Sequence, residues 1–363
     1  MAKKEAFDAL SNVHPGFIIK MELKARGIKQ KDFAERIAIQ QSHLSEILKG
    51  TRNISDQMAE TISDVLGIPS AHLIQLQAEF SFRKKSAQIK DIAEHDAEMM
   101  LNEYNVIYDM RLIFKHVGMN SCTSTEKLQF CKDSLRFSAP SDQQRRSYGY
   151  YRRSEKTGLD DRMISTWAVL AQYEAERLPA PSGKFDKAKA DELSQELSVI
   201  FNENYNTINR VSWKLSEYGI KFCIVPKVER ASIDGYSFVS NGQPSIVITK
   251  RYNRIDNMAF AVLHEVGHLK MHINGDDARV TIADADELGT KEEREANNYA
   301  TQVLLPDNIW QDAPEVVMNP HLIQQKYSAW AKRKGLNKWI VLGRISHDTG
   351  MYMFKSDKSR EIQ

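Results

Sequence analysis

The chain has 363 residues, 42% apolar and 27% charged, which is the balance of a folded protein and excludes a disordered one. Lys+Arg number 50 against 48 Asp+Glu, a net of +2, so a uniformly basic nucleic-acid coat is excluded and any such surface must be local. Cys122, Cys131 and Cys223 are too few and too far apart for a disulfide scaffold or a CxxC zinc site. With no apolar run near the roughly 18 residues of a membrane span and no apolar signal core in the first ten, the expectation is a soluble cytoplasmic protein.

In chain order, Ile18, Ile19, Met21 and Leu23 predict an apolar helix ended by Gly27, and residues 30–37 a second with Phe33, Ala34 and Ile37 on one face. Ala38-Ile39-Gln40 forms a tight turn. Residues 41–48 make a third helix with Leu44, Ile47 and Leu48 inward, stopped by Gly50. Ser55 caps a fourth that reaches Leu66 and carries Met58, Ala59 and Ile62.

Two short helices around a tight turn present the second to the DNA major groove. Its outward residues are Gln40, Gln41, Ser42, His43, Ser45 and Glu46. Glutamine pairs bidentately with adenine, and Ser and His reach base edges or phosphates. Lys31, Lys49 and Arg52 flank the helix and can neutralise phosphates. Residues 1–90 hold 14 Lys+Arg and 10 Asp+Glu, a net of +4. So small an excess supports only weak nonspecific affinity and calls for a dimer on a two-fold operator. A small helical domain that binds protein instead is the alternative.

The middle is less informative. Residues 81–85 (Ser-Phe-Arg-Lys-Lys) are expected to be a joint, and residues 178–183, rich in Pro, Gly and Ser, a loop. Ile92, Met99, Tyr104 and Ile107 recur at helical spacing, and a further helix is expected from Trp167 to Leu178. Residues 145–153 interleave arginine and tyrosine, which suits stacking on bases or, more plainly, a solvated loop.

The C-terminal part carries the chemistry. Residues 245–249 (Ser-Ile-Val-Ile-Thr) read as a strand, Asp256 as a cap, and Met258 to Leu263 as a helix leading into His264-Glu265-Val266-Gly267-His268. Histidines four apart share a helix face, so both imidazoles reach one ion, and the intervening Glu265 is placed to take a proton from water. Gly267 costs helix stability and marks a close packing contact. A tetrahedral zinc also needs a third protein ligand. Downstream, residues 292–304 form an amphipathic helix with Ala296, Tyr299, Ala300, Val303 and Leu304 inward. Glu293 points the same way, Glu292 partly so, and Glu295 to the side. An inward carboxylate needs a compensating cation. Tyr236, Tyr252, His272 and His347 are candidate oxyanion donors, each more readily read as structural.

Two resemblances add to this. His14-Pro15-Gly16, residues 29–34 (Lys-Gln-Lys-Asp-Phe-Ala) and Leu48-Lys49-Gly50 resemble XRE/HigA-type antitoxin repressors over residues 14–78. Ala38 stands where that family carries Gly, a mildly strained choice if φ is positive. The HExxH motif, the stretch EREANNYATQVLLP (residues 293–306) and residues 244–248 (Pro-Ser-Ile-Val-Ile) resemble the ImmA/IrrE family of zinc metallopeptidases. That resemblance implies a minimal zincin fold in which His264, His268 and Glu293 bind Zn2+, Glu265 is the general base, and Asn297 orients a ligand from behind. It also implies a repressor, antitoxin or similar partner as substrate. Longer members carry a stretch similar to residues 151–156 (Tyr-Arg-Arg-Ser-Glu-Lys), which suggests a helical connector or sensor.

The expected fold class is α+β and mostly helical. A helix-turn-helix domain over residues 1–80 leads into a helical connector at 81–205, a zincin-like domain with a small sheet at 206–350, and a frayed charged tail at 351–363. The expected function is an operator-binding homodimer fused to a zinc peptidase that cuts a repressor, antitoxin, partner or itself. The alternatives are a HigA-like repressor whose zincin domain only senses or scaffolds, and a toxin-binding module.

Overall fold

The computed structural model describes residues 13–139, 160–231, 233–249, 253–273, 291–316 and 319–363. The chain divides into two compact units, Met1–Glu98 and Met99–Gln363. The basic-aromatic stretch at 145–153, the connector-like 151–156 and Tyr252 lie outside the described residues.

The first unit is all helical: α1 (Pro15–Ala25), α2 (Gln30–Arg36), α3 (Gln41–Leu48), α4 (Asp56–Leu66) and the start of α5 (Ser70–Ile107). His14 caps α1, its Nδ1 accepting from Gly16 N at 3.0 Å. Pro15 sits where no intrahelical N–H is needed. Gly16 has no alternative, since a Cβ there would stand 1.8 Å from the Ile47 carbonyl oxygen, so α1 meets α3 backbone to backbone. Ser55 caps α4 by accepting from Met58 N, as expected. Ile19, Phe33, Leu44, Ile47, Ile62 and Leu73 close the core. Ala38 does adopt the left-handed conformation, φ 53°. Met21 is a correction: it is 57% exposed, on the solvent side of α1.

The expected joint at residues 81–85 is helix. It contains neither Gly nor Pro, so nothing local stops α5, which runs 38 residues. Along α5, Tyr104 and Ile107 are buried, whereas Ile92 and Met99 are exposed. Helical spacing selected the faces but not which of them is covered.

The second unit is built on a three-stranded sheet of β1 (Lys221–Val225), β2 (Gly235–Ser240) and β3 (Gln243–Thr249), in the order β1-β3-β2. β1 runs parallel to β3, and β2 antiparallel. Asn241 and Gly242 turn the hairpin, both at positive φ (52° and 72°), which is why that pair stands there. Side chains alternate across β3. Ile246 and Ile248 join a core with helices α9 (Ala190–Glu203), α10 (Thr207–Glu217) and α11 (Ile255–Met271). Val247 faces the other way, with Tyr236, Phe238 and Val225.

The opposite face is covered from the stretch expected as a helical connector, residues 81–205. Helices α6 (Met110–His116) and α7 (Ser124–Asp133) join the core there through Ile113 and Cys131, and α8 (Asp161–Arg177) packs on the strands, with Trp167, Leu170 and Ala171 buried. Gln172 Nε2 donates to Tyr236 Oη at 2.8 Å. Both faces of the sheet are thus covered, and the middle helices belong to the same body as the strands.

α12 (Lys291–Leu304), α13 (Asp307–Trp310), α14 (Pro320–Lys334) and α15 (Lys338–Thr349) complete the unit around buried Trp330 and Trp339. The tail expected to fray is docked instead. Arg360 donates to Asp256 Oδ2 at 2.8 Å and Oδ1 at 3.3 Å. Asn204 Nδ2 donates to the carbonyls of Glu361 (2.8 Å) and Ser359 (3.3 Å). Asp256 is therefore no cap. The N-cap position is Arg254, and the buried Asp256 carboxylate lies between Arg254 and Arg360.

Candidate metal centre

Strand β3 leads to α11, whose last two turns carry His264, Glu265 and His268. α12 crosses it closely because residue 267 is glycine. A Cβ there would meet Tyr299 Cδ1 at 3.1 Å and Ala296 Cα at 3.4 Å. The close approach expected of Gly267 is thus the one that delivers α12, and with it Glu293.

The three groups converge. The Nε2 atoms of His264 and His268 are 2.9 Å apart, and Glu293 reaches each of them at 3.2 Å, through Oε2 and Oε1 respectively. All three ligand atoms lie within 4.8 Å of one another. Burial works to raise the Glu293 carboxyl, but the hydrogen bonds from His264 and His268 outweigh it and hold it at about 2. Burial works to lower His264, and the Glu293 carboxylate reverses that, raising it above its ordinary value. Two imidazole nitrogens and a carboxylate aimed at one point form a donor set that fits a divalent ion such as zinc.

Each histidine is held from behind. His264 Nδ1 lies 2.9 Å from Asn297 Oδ1. His268 Nδ1 lies 2.9 Å from His272 Nδ1, and His272 Nε2 lies 3.0 Å from Glu295 Oε2. Glu295 is the carboxylate expected to point sideways, and His272, expected only as an oxyanion candidate, is its partner. The hydrogen bond from His272 lowers the Glu295 carboxyl below its ordinary value.

Glu265 is 5% exposed, and its Oε2 accepts from Ser237 Oγ of β2 at 2.6 Å. Its Oε1 lies over Gly235, where a Cβ would stand 2.5 Å away. Strand β2 thus provides both a donor for one oxygen and room for the other. Sequence reasoning missed Ser237 and gave Gly235 a place in the family resemblance but no role. The available signal was a lone serine and a leading glycine in the otherwise apolar run Gly235-Tyr236-Ser237-Phe238-Val239.

His264, Glu265, Glu293 and Asn297 open onto a cleft of about 690 Å³, whose lining also includes Arg344 and His347. Of the oxyanion candidates, Tyr236 is buried on the opposite face of the sheet and bonded to Gln172. His347 reaches the cleft wall but bonds to Asp348 Oδ1 at 3.2 Å.

In the first unit, Lys31, Gln40, Gln41, Ser42, Lys49 and Arg52 are exposed around α3, and His43 and Ser45 are half-buried. Arg52 pairs with Glu46 at 3.2 Å. Leu44, Ile47 and Leu48 face inward, which turns the polar side outward.

Residues 19–73 match the family model Helix-turn-helix, and residues 216–333 match the IrrE N-terminal-like domain of the M78 peptidases. The chain thus carries a helix-turn-helix domain fused to an ImmA/IrrE-type domain. No curated protein matches the chain. The second match spans β1–β3, α11, α12 and α14, and so contains the whole His264–His268–Glu293 cluster. Among the described residues of the fusion, no helix is long and apolar enough to cross a membrane.

Proposed function

We propose that this chain is a cytoplasmic, HigA-like operator-binding regulator, acting as a homodimer, whose second unit is a zinc endopeptidase for a repressor, antitoxin or related partner protein. The observation that carries the reading is the convergence of His264, His268 and Glu293 at a cleft that Glu265 also lines. A structural zinc site would be closed by four protein ligands, whereas three protein ligands beside a general base leave a position for water.

A zinc ion held by His264, His268 and Glu293 would supply Lewis acidity and lower the pKa of water. Glu265 then accepts a proton from the attacking water on Oε1, the oxygen that Ser237 leaves free, and returns it to the departing amine. Ser237 keeps that carboxylate from turning away. Asn297 fixes the ring of His264 by accepting from its Nδ1. Gln41 and Ser42 are the base-reading residues of the operator complex, with Gln40, His43 and Ser45 beside them and Lys31, Lys49 and Arg52 on phosphates.

Metal analysis of the purified chain, with cleavage of helix-turn-helix repressors including its own first unit, tests the reading. Wild-type protein should hold one zinc and cut, and Glu265→Gln should hold zinc and not cut. A wild-type chain loaded with zinc that cuts none of these would leave a regulator with a non-catalytic sensor domain.

A further inference from the structure

His272 and Glu295 neither line the cleft nor belong to the converging trio, yet they extend the cluster in one direct line. The line runs from Glu295 Oε2 to His272 Nε2 (3.0 Å), then from His272 Nδ1 to His268 Nδ1 (2.9 Å), and ends at His268 Nε2. We propose that the Glu295–His272 pair is a positioning device that fixes the tautomer and ring angle of His268, so that its Nε2 lone pair is presented to a divalent cation. The inference rests on the metal-centre reading above.

Proton bookkeeping supports it. His268 can offer Nε2 to a cation only with its proton on Nδ1. That N–H needs an acceptor, and the atom facing it is His272 Nδ1. His272 accepts there only with its own proton on Nε2, which donates to the Glu295 carboxylate. The carboxylate end leaves one tautomer for each ring. Chain geometry keeps the line in register. His272 caps the C-terminus of α11 four residues beyond His268, and its backbone N–H donates to the His268 carbonyl at 2.9 Å, so the helical spacing carries through to it and brings the two rings side by side. Glu295 lies two residues beyond Glu293 on α12, so the helix that brings the third ligand also brings the anchor for the second histidine. The two ring-holding devices differ. His264 is held by a neutral amide, Asn297, and His268 by a relay that ends in a charge.

The test uses the full-length chain, metal-stripped, with zinc affinity measured by competition against a chromogenic chelator and the ligand field read from the visible spectrum of the cobalt-loaded protein. His272→Ala should weaken zinc binding about 10–100-fold and shift the cobalt bands. Glu295→Gln keeps an acceptor oxygen but loses the charge, so it should fall between wild type and His272→Ala. Metal-free Glu295→Gln should unfold at the wild-type temperature, because the Glu295 side chain is 41% exposed and keeps its shape, and a merely structural role would show there instead. Wild-type zinc affinity and an unchanged cobalt spectrum in His272→Ala would overturn the inference alone. A wild-type chain that binds neither zinc nor cobalt would overturn it together with the metal centre.

Discussion

Ser237 Oγ donates to Glu265 Oε2 at 2.6 Å, tying the middle of an edge strand to the carboxylate inside the HExxH motif. A fully buried serine in an apolar strand, bonded to a 5%-exposed carboxylate, removes one of that carboxylate's two oxygens from competition for protons. Ser237→Ala leaves a buried carboxylate oxygen without its donor, at about 1.5–3 kcal/mol. We predict that it lowers kcat by roughly tenfold or more at unchanged zinc content, because an unanchored carboxylate spends less time on the attacking water. Gly235→Ala should do more, since its Cβ would stand 2.5 Å from Glu265 Oε1. Peptide-cleavage kinetics with metal analysis on the same samples check both, and an unimpaired Gly235→Ala enzyme would remove Glu265 from the reaction.

Recognition by α3 makes a different prediction. Gln41→Ala with Ser42→Ala should flatten discrimination between operator variants without unfolding the unit, because both residues are exposed and Leu44, Ile47 and Leu48 hold the core. Lys49→Ala should weaken binding evenly across sequences and reduce the salt slope by about one. Footprinting against altered operators separates the two effects. An unchanged sequence preference in the double variant would rule out α3 as the reader.

Ala38 at φ 53° carries a strain that glycine would relieve. A left-handed alanine costs about 1–2 kcal/mol, and glycine returns roughly half of that gain as lost backbone entropy. Ala38→Gly should therefore stabilise the first unit by about 0.5–1 kcal/mol, read as a rise in the urea midpoint. A lower midpoint would mean that the turn is not strained.

Removing the Arg360 side chain takes a bidentate partner from the buried Asp256 and leaves Arg254 as its charged partner. A hydrogen bond to a charged group is worth about 1.5–3 kcal/mol, so Arg360→Ala should destabilise the second unit by about 2–3 kcal/mol in urea unfolding. No loss would show that the tail is detached in solution.

Asp357 offers a pH test. Its hydrogen bond from Lys338, aided by Ser359, holds it at about 2, below its unfolded value. A depressed carboxyl contributes stability above the unfolded pKa and loses it as pH falls through the folded one. The pair is half exposed, so after screening it is worth less than about 1 kcal/mol. Asp357→Asn should remove that much at pH 6 and nothing near pH 2, which flattens the acid limb of the stability curve between about pH 4 and pH 2. A parallel offset at every pH would assign the loss to packing.

The helix-turn-helix was legible to within a residue or two. α2, α3 and α4 are short and bounded by Ala38, Gly50, Ser55 and Gly67, and each buries one stripe whose period is written locally. The same holds for the face shared by His264 and His268, and for the inward turn of Glu293, since both depend on spacing within one helix. Local period could not say whether a given stripe is covered, and Ile92 and Met99 on α5 are exposed despite theirs.

What belonged to the tertiary structure alone was every partner that arrives from a distance along the chain. Ser237 meets Glu265 across 28 positions, Gln172 meets Tyr236 across 64, and Arg360 meets Asp256 across 104. A polar side chain in sequence declares that it needs a partner when buried, but not which one, because that choice is made by the packing of whole faces. The sequence by itself determined the chemistry on offer, two imidazoles and carboxylates at helical spacing. Only the folded chain decided that Glu295 and His272 would stand behind His268, and that a tail and the middle helices would complete the body that holds them.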